Sequence, residues 1–216
     1  MTHFQGYDER EARKVFVRNR QRLVFSIAAT ILVVAMVLSL LVFYGVIGRT
    51  KKAAQAQPNY GVTAPCLPTK LNESDQSDYD GSRIDPGSIS VRTINGTSQT
   101  GLAAAVRDEL QNRGFNVDNT AYSLPNWQGS RTTIYFTKTS IAQAYTLGSL
   151  FTDAILQMTS GDDATVNVVI GPTFINLKSK TDPSASSDAK LASISGCVAA
   201  DQMTDLPAAI DPNTLK

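Results

Sequence analysis

Apolar and polar positions divide this chain into one long unbroken apolar run and, further on, a series of short alternating stretches. Leu23 to Gly48 carries no charged residue, and Ser26, Thr30, Ser39 and Tyr44 are the polar side chains that dilute it. As a helix, a run of this length rises about 39 Å at 1.5 Å per residue, against about 30 Å of bilayer hydrocarbon. A helix pairs every backbone group internally, which lipid demands. The pattern therefore predicts one transmembrane helix at 23–48, followed by a tethered domain. Ala54-Gln55-Ala56 has the small-x-small look of a cleavage site. The apolar core far exceeds the roughly 7–15 residues of a signal peptide, however, so an uncleaved anchor is expected.

Beyond the run, Ile89, Val91 and Ile94 lie in a short β-rich stretch that Asn95-Gly96 ends. Leu102, Val106 and Leu110 follow at i, i+4, i+8 and predict a helix over 101–113, stopped at Gly114. Phe115 to Val117 restarts as a strand. A loop containing Leu124-Pro125-Asn126-Trp127 separates it from Thr132–Thr137, rich in β-branched and aromatic residues. Thr139 or Ser140 is placed to cap a second helix carrying Ile141, Ala144, Tyr145, Gly148 and Phe151. Ala154–Met158 and Thr165–Ile170 read as two more strands around a turn at Gly161–Ala164. The order is β-α-β, then β-α-β-β. It predicts an α/β fold: a small α+β sandwich whose mixed sheet has two helices on one face.

Composition on either side of these elements marks the boundaries. We read 1–22 as a basic cytoplasmic tail, 23–48 as the span, and 49–86 as an extracytoplasmic linker. The ordered domain follows at 87–172, then a C-terminal extension at 173–216. Residues 1–22 hold six basic and three acidic side chains. That asymmetry places the amino terminus in the cytoplasm and the domain outside the cell membrane. Cys66 and Cys197 both follow the span, as suits a compartment where disulfides persist. The ends of a compact domain often lie close together, so the two are expected to form one intramolecular disulfide.

Several functions are excluded or left without support. The one histidine, His3, precedes the span, so the domain has no Ser-His-Asp or Cys-His pair. No Cys/His or His/carboxylate cluster suggests a metal, and no Walker or dinucleotide motif suggests a cofactor. Asp162-Asp163 follows Gly161 and reads as a solvated turn. Net charge is +1 over the whole chain, which gives no indication of nucleic acid. No catalytic residue is assigned, and the chain is read as a non-enzyme.

The segment Ile94-Asn95-Gly96-Thr97 … Gly101-Leu102-Ala103 … Val106 … Leu110 … Gly114-Phe115-Asn116-Val117 is more specific. This NGT…GLA…V…L…GFNV pattern, after a strand, resembles the LytR C-terminal domain family. The later strand-helix signal and the strand ending Val168-Val169-Ile170-Gly171 agree in order and spacing. In larger members this domain follows a LytR-CpsA-Psr phosphotransferase, for which the chain has no counterpart. A basic tail, one span and a lone domain are similar to actinobacterial envelope-integrity proteins of the Cei type. The resemblance implies a non-enzymatic role in the cell envelope. It is compatible with binding an envelope glycan, lipid or protein partner, or with a scaffold docking a membrane-bound cell-wall enzyme.

Two readings of the Asn95–Gly101 loop stay open. Free N–H groups at the helix start favour an anion, and Asn95, Thr97 and Ser98 carry groups that hydrogen-bond sugars. Gly96 and Gly101 would let a ligand approach the backbone. On the other reading, Asn95-Gly96 shapes a turn, Thr100 caps the helix and Gly101 permits packing. Trp127 is either folded onto the core or a platform for stacking a sugar.

Overall fold

The computed structural model describes residues 24–37, 39, 59–71 and 76–216. The chain divides into two units, Met1–Thr50 and Lys51–Lys216. In the first, residues 24–37 form helix α1. Its large apolar side chains, among them Val24, Phe25, Ile31 and Leu32, are exposed along its length. Thr30 returns its hydroxyl to the Ser26 carbonyl at 2.9 Å. No helix among the described residues is long and apolar enough to cross a membrane. The tail at 1–22 and the part of the apolar run at 40–48 lie outside the described residues.

The second unit is built on a six-stranded mixed sheet. Its strands are β1 (Ser90–Asn95), β2 (Asn116–Val117), β3 (Tyr122–Ser123), β4 (Thr133–Phe136), β5 (Ile155–Met158) and β6 (Val166–Ile170). The order is β2-β1-β6-β4-β5, with β3 also on β1. β1 runs parallel to β2, β3 and β6, and β4 runs parallel to β5. The two sets meet where β4 lies antiparallel to β6. Helix α2 (Leu102–Gln111) connects β1 to β2, and α3 (Ile141–Gly148) connects β4 to β5. The β1–β2 and β4–β5 pairs thus each have the helical crossover that consecutive parallel strands require.

Alternation along the strands sorts the two faces. Val91, Val166, Val168, Ile170, Ile134, Phe136, Leu156 and Met158 join Ala103, Val106 and Leu110 of α2 in the core. Ile141, Ala144, Tyr145 and Leu147 of α3 complete it. The expected elements therefore form. The expected caps do not: α2 begins at Gly101 with φ +82°, and neither it nor α3 has a side-chain cap. Ser140 precedes α3 as part of a 3-10 turn, Lys138–Ser140. β3 was not expected; two residues carry too little periodicity to read. Gly114 has φ +88° where the chain leaves α2, which favours a residue without Cβ.

The segments on either side of the expected domain pack onto it. Asn59 is buried and bonds the Leu156 N–H at 2.8 Å and its carbonyl at 2.9 Å, occupying the edge of β5. Cys66 and Cys197 form the expected disulfide, with Cα atoms 4.9 Å apart. Around it Cys66 N donates to Val198 O and Val198 N to Ala64 O. The buried Tyr145 hydroxyl donates to Pro65 O at 2.6 Å and accepts from Ile194 N at 3.3 Å. Leu177, Leu191, Ile194, Met203 and Leu206 of the 173–216 segment lie against the core.

One buried carboxylate ties the start of β4 to the chain leaving β6. Asp153 Oδ2 accepts from Thr132 N (3.2 Å), Thr132 Oγ1 (3.0 Å) and Thr173 Oγ1 (2.7 Å). Asp153→Ala strands three donors, and we expect a loss of about 2 kcal/mol. In a domain of this size that lowers Tm by roughly 4–8 °C. Thermal unfolding followed by circular dichroism checks it, and an unchanged midpoint would refute the bracing role.

Candidate functional site

The Asn95–Gly101 loop leaves the sheet where Gly96 N still bonds Ile170 O at 3.0 Å. Most of its polar groups are spent within the loop. Asn95 Oδ1 accepts from Thr97 N (2.9 Å) and Thr97 Oγ1 (2.8 Å), and its amide donates to Gln99 O (2.7 Å). Thr97 Oγ1 in turn accepts from Gln99 N at 3.1 Å. Asn95 and Thr97 therefore hold the turn. Ser98 and Thr100 are exposed. The absence of an acidic residue in the first turn of α2 leaves its N–H groups without a side-chain acceptor.

The loop does meet Trp127. Leu124 N bonds Asn95 O at 2.9 Å, and Asn126, with φ +70°, turns the chain back over the sheet. A Cβ on Gly96 would lie 2.4 Å from Trp127 Cε3, and one on Gly129 would lie 2.2 Å from its Cζ2. The indole is thus seated against two glycines that admit it. Its Nε1 donates to the Tyr135 hydroxyl at 3.3 Å, and the ring is half-buried. Gly96 serves the approach of this ring; Gly101 has open space around it and takes the positive φ at the helix start.

Tyr135 belongs to the sheet face turned away from the helices. Register aligns Arg92 with Asn167, Asn167 with Tyr135, and Tyr135 with Gln157, a polar row across β1, β6, β4 and β5. Arg92 donates to Asn167 Oδ1 at 3.0 Å, and its guanidinium sits 5.6 Å from the centre of the Tyr122 ring. Asp118 lies 3.8 Å from Arg92 Nε. Backbone donation from Thr120, more than the Tyr122 hydroxyl or Arg92, holds the Asp118 carboxyl below its ordinary range. Nothing in the sequence pattern gathers Arg92, Tyr122, Tyr135, Asn167 and Gln157. Their strands pair across long separations, so only the register brings them together.

Among the described residues no three His, Cys, Asp or Glu side chains are grouped to hold a metal. Asp162 is exposed and Asp163 accepts from Thr165 N at 2.9 Å, as a turn residue does. The arrangement defines a class: a two-crossover α/β domain whose helix-free face carries aromatic, amide and guanidinium groups. Residues 88–174, from the edge of β1 to just past β6, match the family described as LytR cell envelope-related transcriptional attenuator. This segment is a LytR C-terminal domain, as its NGT…GFNV pattern implies. No curated protein matches the chain. Among solved structures, the soluble domain of a conserved hypothetical secreted protein from Mycobacterium marinum is similar. The two are 24% identical, over 50% of this chain and 75% of that one, with a TM-score of 0.41.

Proposed function

We propose that this is a membrane-anchored cell-envelope protein, without enzymatic activity, whose extracytoplasmic domain binds an envelope glycan on the sheet face around Trp127. The family description supports the envelope assignment. A disulfide closing the domain supports an oxidising compartment. The uncharged run at 23–48 and the exposed apolar surface of α1 support an anchor, and the six-to-three basic excess supports a cytoplasmic amino terminus.

The seating of Trp127 carries the glycan reading. A half-buried indole fixed by Tyr135 offers an apolar plate to the C–H face of a sugar ring. The neighbouring Tyr135, Gln157 and Arg92 offer the hydrogen bonds that sugar hydroxyls need. Trp127 is the one tryptophan of the chain, so intrinsic fluorescence reports this site alone. Titrating the full-length protein with soluble peptidoglycan fragments should change the emission. Trp127→Ala should abolish the binding, measured by calorimetry, while its far-ultraviolet spectrum stays that of the wild type. An emission that no glycan changes, with co-purification of one defined cell-wall enzyme, would favour the scaffold reading instead.

A further inference from the structure

On the helix-covered side, away from Trp127, the chain entering β1, the ends of α2 and α3 and the 180–187 segment enclose an open cavity of about 550 Å³. Three cations line it, Arg83, Arg113 and Lys180, against one carboxylate, Asp85. Its apolar wall includes Phe115 and Leu150, both buried.

Two of the cations have structural employment. Arg83 donates to Thr146 O at 3.2 Å, in the last turn of α3, and also to Ser149 Oγ and Ser184 O. Lys180 Nζ donates to Asn112 O at 3.1 Å, at the end of α2. Cations suit helix C-termini, so these bonds alone need no ligand. They do not account for the rest. No carboxylate among the described residues pairs with Arg83, and its Nε is buried without a hydrogen-bond partner. Burial weakens its hold on the proton, the expected response of a charge lacking a counter-ion. Arg113 is more telling. Its side chain is only 11% exposed, its Nε is committed to Glu109 at 2.8 Å, and its terminal nitrogens donate to no described residue. A guanidinium fork held in place with its outer nitrogens unspent is suited to a bidentate oxyanion.

We propose that this cavity binds an amphiphilic phosphate, its headgroup on Arg113 with Arg83 and Lys180 beside it, and its apolar chain over Phe115 and Leu150. Phosphate matches the guanidinium geometry and the excess of positive charge. The apolar wall gives the attached chain a place out of water. The site is separate from the sheet face and stands whether or not that face binds a glycan.

The test uses the full-length protein and three probes: hexyl phosphate, inorganic phosphate and the uncharged hexyl glucoside. Hexyl phosphate should bind at least tenfold more tightly than inorganic phosphate in calorimetric titration, and hexyl glucoside should not bind. Arg113→Gln and Lys180→Gln should each weaken hexyl phosphate by roughly tenfold without moving Tm by more than about 2 °C. Arg107→Gln removes a half-buried charge outside the cavity and should bind as wild type. Absence of binding at millimolar hexyl phosphate, or equal affinity in the Arg113 and Lys180 variants, would overturn the site. Equal affinity for inorganic phosphate would overturn the apolar half and leave a free-phosphate site. Equal affinity for hexyl glucoside would overturn the anionic half.

Discussion

Reducing the Cys66–Cys197 bond should lower the melting temperature of the domain by roughly 5–20 °C, a large single effect for a cross-link that touches no ligand. The two cysteines are 131 residues apart. Cutting a loop of that length returns conformational freedom to the unfolded chain worth about 5 kcal/mol in the entropy model, with about 2–5 kcal/mol observed when native bridges are removed. At about 2–4 °C per kcal/mol, the shift follows for a unit of this size. The native fold should survive in the cold, because the contacts around the bridge do not depend on sulfur. Cys66 N, Val198 N and both Tyr145 hydrogen bonds still join the 64–66 segment to 194–198. Thermal melts with and without reductant measure the effect. A Cys66→Ser, Cys197→Ser double variant should melt at the reduced value and ignore reductant. If the wild type melts at the same temperature in both conditions, the bond adds nothing and the flanking hydrogen bonds close the domain.

Both crossover helices and every strand but β3 were legible, because the longer elements carry their own period. Leu102, Val106 and Leu110 mark one face of α2, and the alternation of Ile134 and Phe136 marks the buried side of β4. What the sequence hid are properties settled by distant partners. Residues 59–71 read as linker because they are short on large apolar side chains. Yet Asn59 is buried, since its amide replaces a missing strand beside Leu156. The helix caps misled for a similar reason. Thr100, Thr139 and Ser140 have cap chemistry, but Gly101 starts α2 in a left-handed conformation and a 3-10 turn leads into α3.

The candidate loop divides along the same line. Asn95 and Thr97 look like ligand donors in sequence because the pattern does not show that they satisfy one another. Trp127 was visible as a neighbour, but its partner Tyr135 emerges only when β4 returns beneath it. Arg83 and Arg113 had no signal at all. An isolated arginine in a polar stretch gives no sign that its charge will be buried or left without a carboxylate.

Gly171→Ala should be among the most damaging single substitutions in the domain, despite adding one methyl group. Its effect depends on what that methyl meets. Gly171 is buried where the chain leaves β6 and crosses the start of β4. A Cβ there would lie 2.4 Å from Arg131 C, 2.6 Å from Arg131 O and 2.8 Å from Thr132 N. All three atoms are backbone, so no side chain can swing aside. Relief requires the β4 and β6 chains to part, and the pairing of Thr133 with Val169 lies immediately beyond. Movement also pulls Thr132 from Asp153, which holds both its N–H and its hydroxyl. Overpacking commonly costs about 1–3 kcal/mol, and a backbone-limited clash belongs at or above the top of that range. We expect a loss of about 3 kcal/mol or more, and a Tm lower by roughly 6–12 °C. Gly101→Ala is the control. Nothing lies within 4 Å of its Cβ position, so it costs only the strain of φ +82°, about 1–2 kcal/mol. Urea unfolding of both variants checks the ranking. Equal losses would mean that the β6–β4 crossing yields easily and that the close approach at Gly171 is not what holds the two parallel halves of the sheet in register.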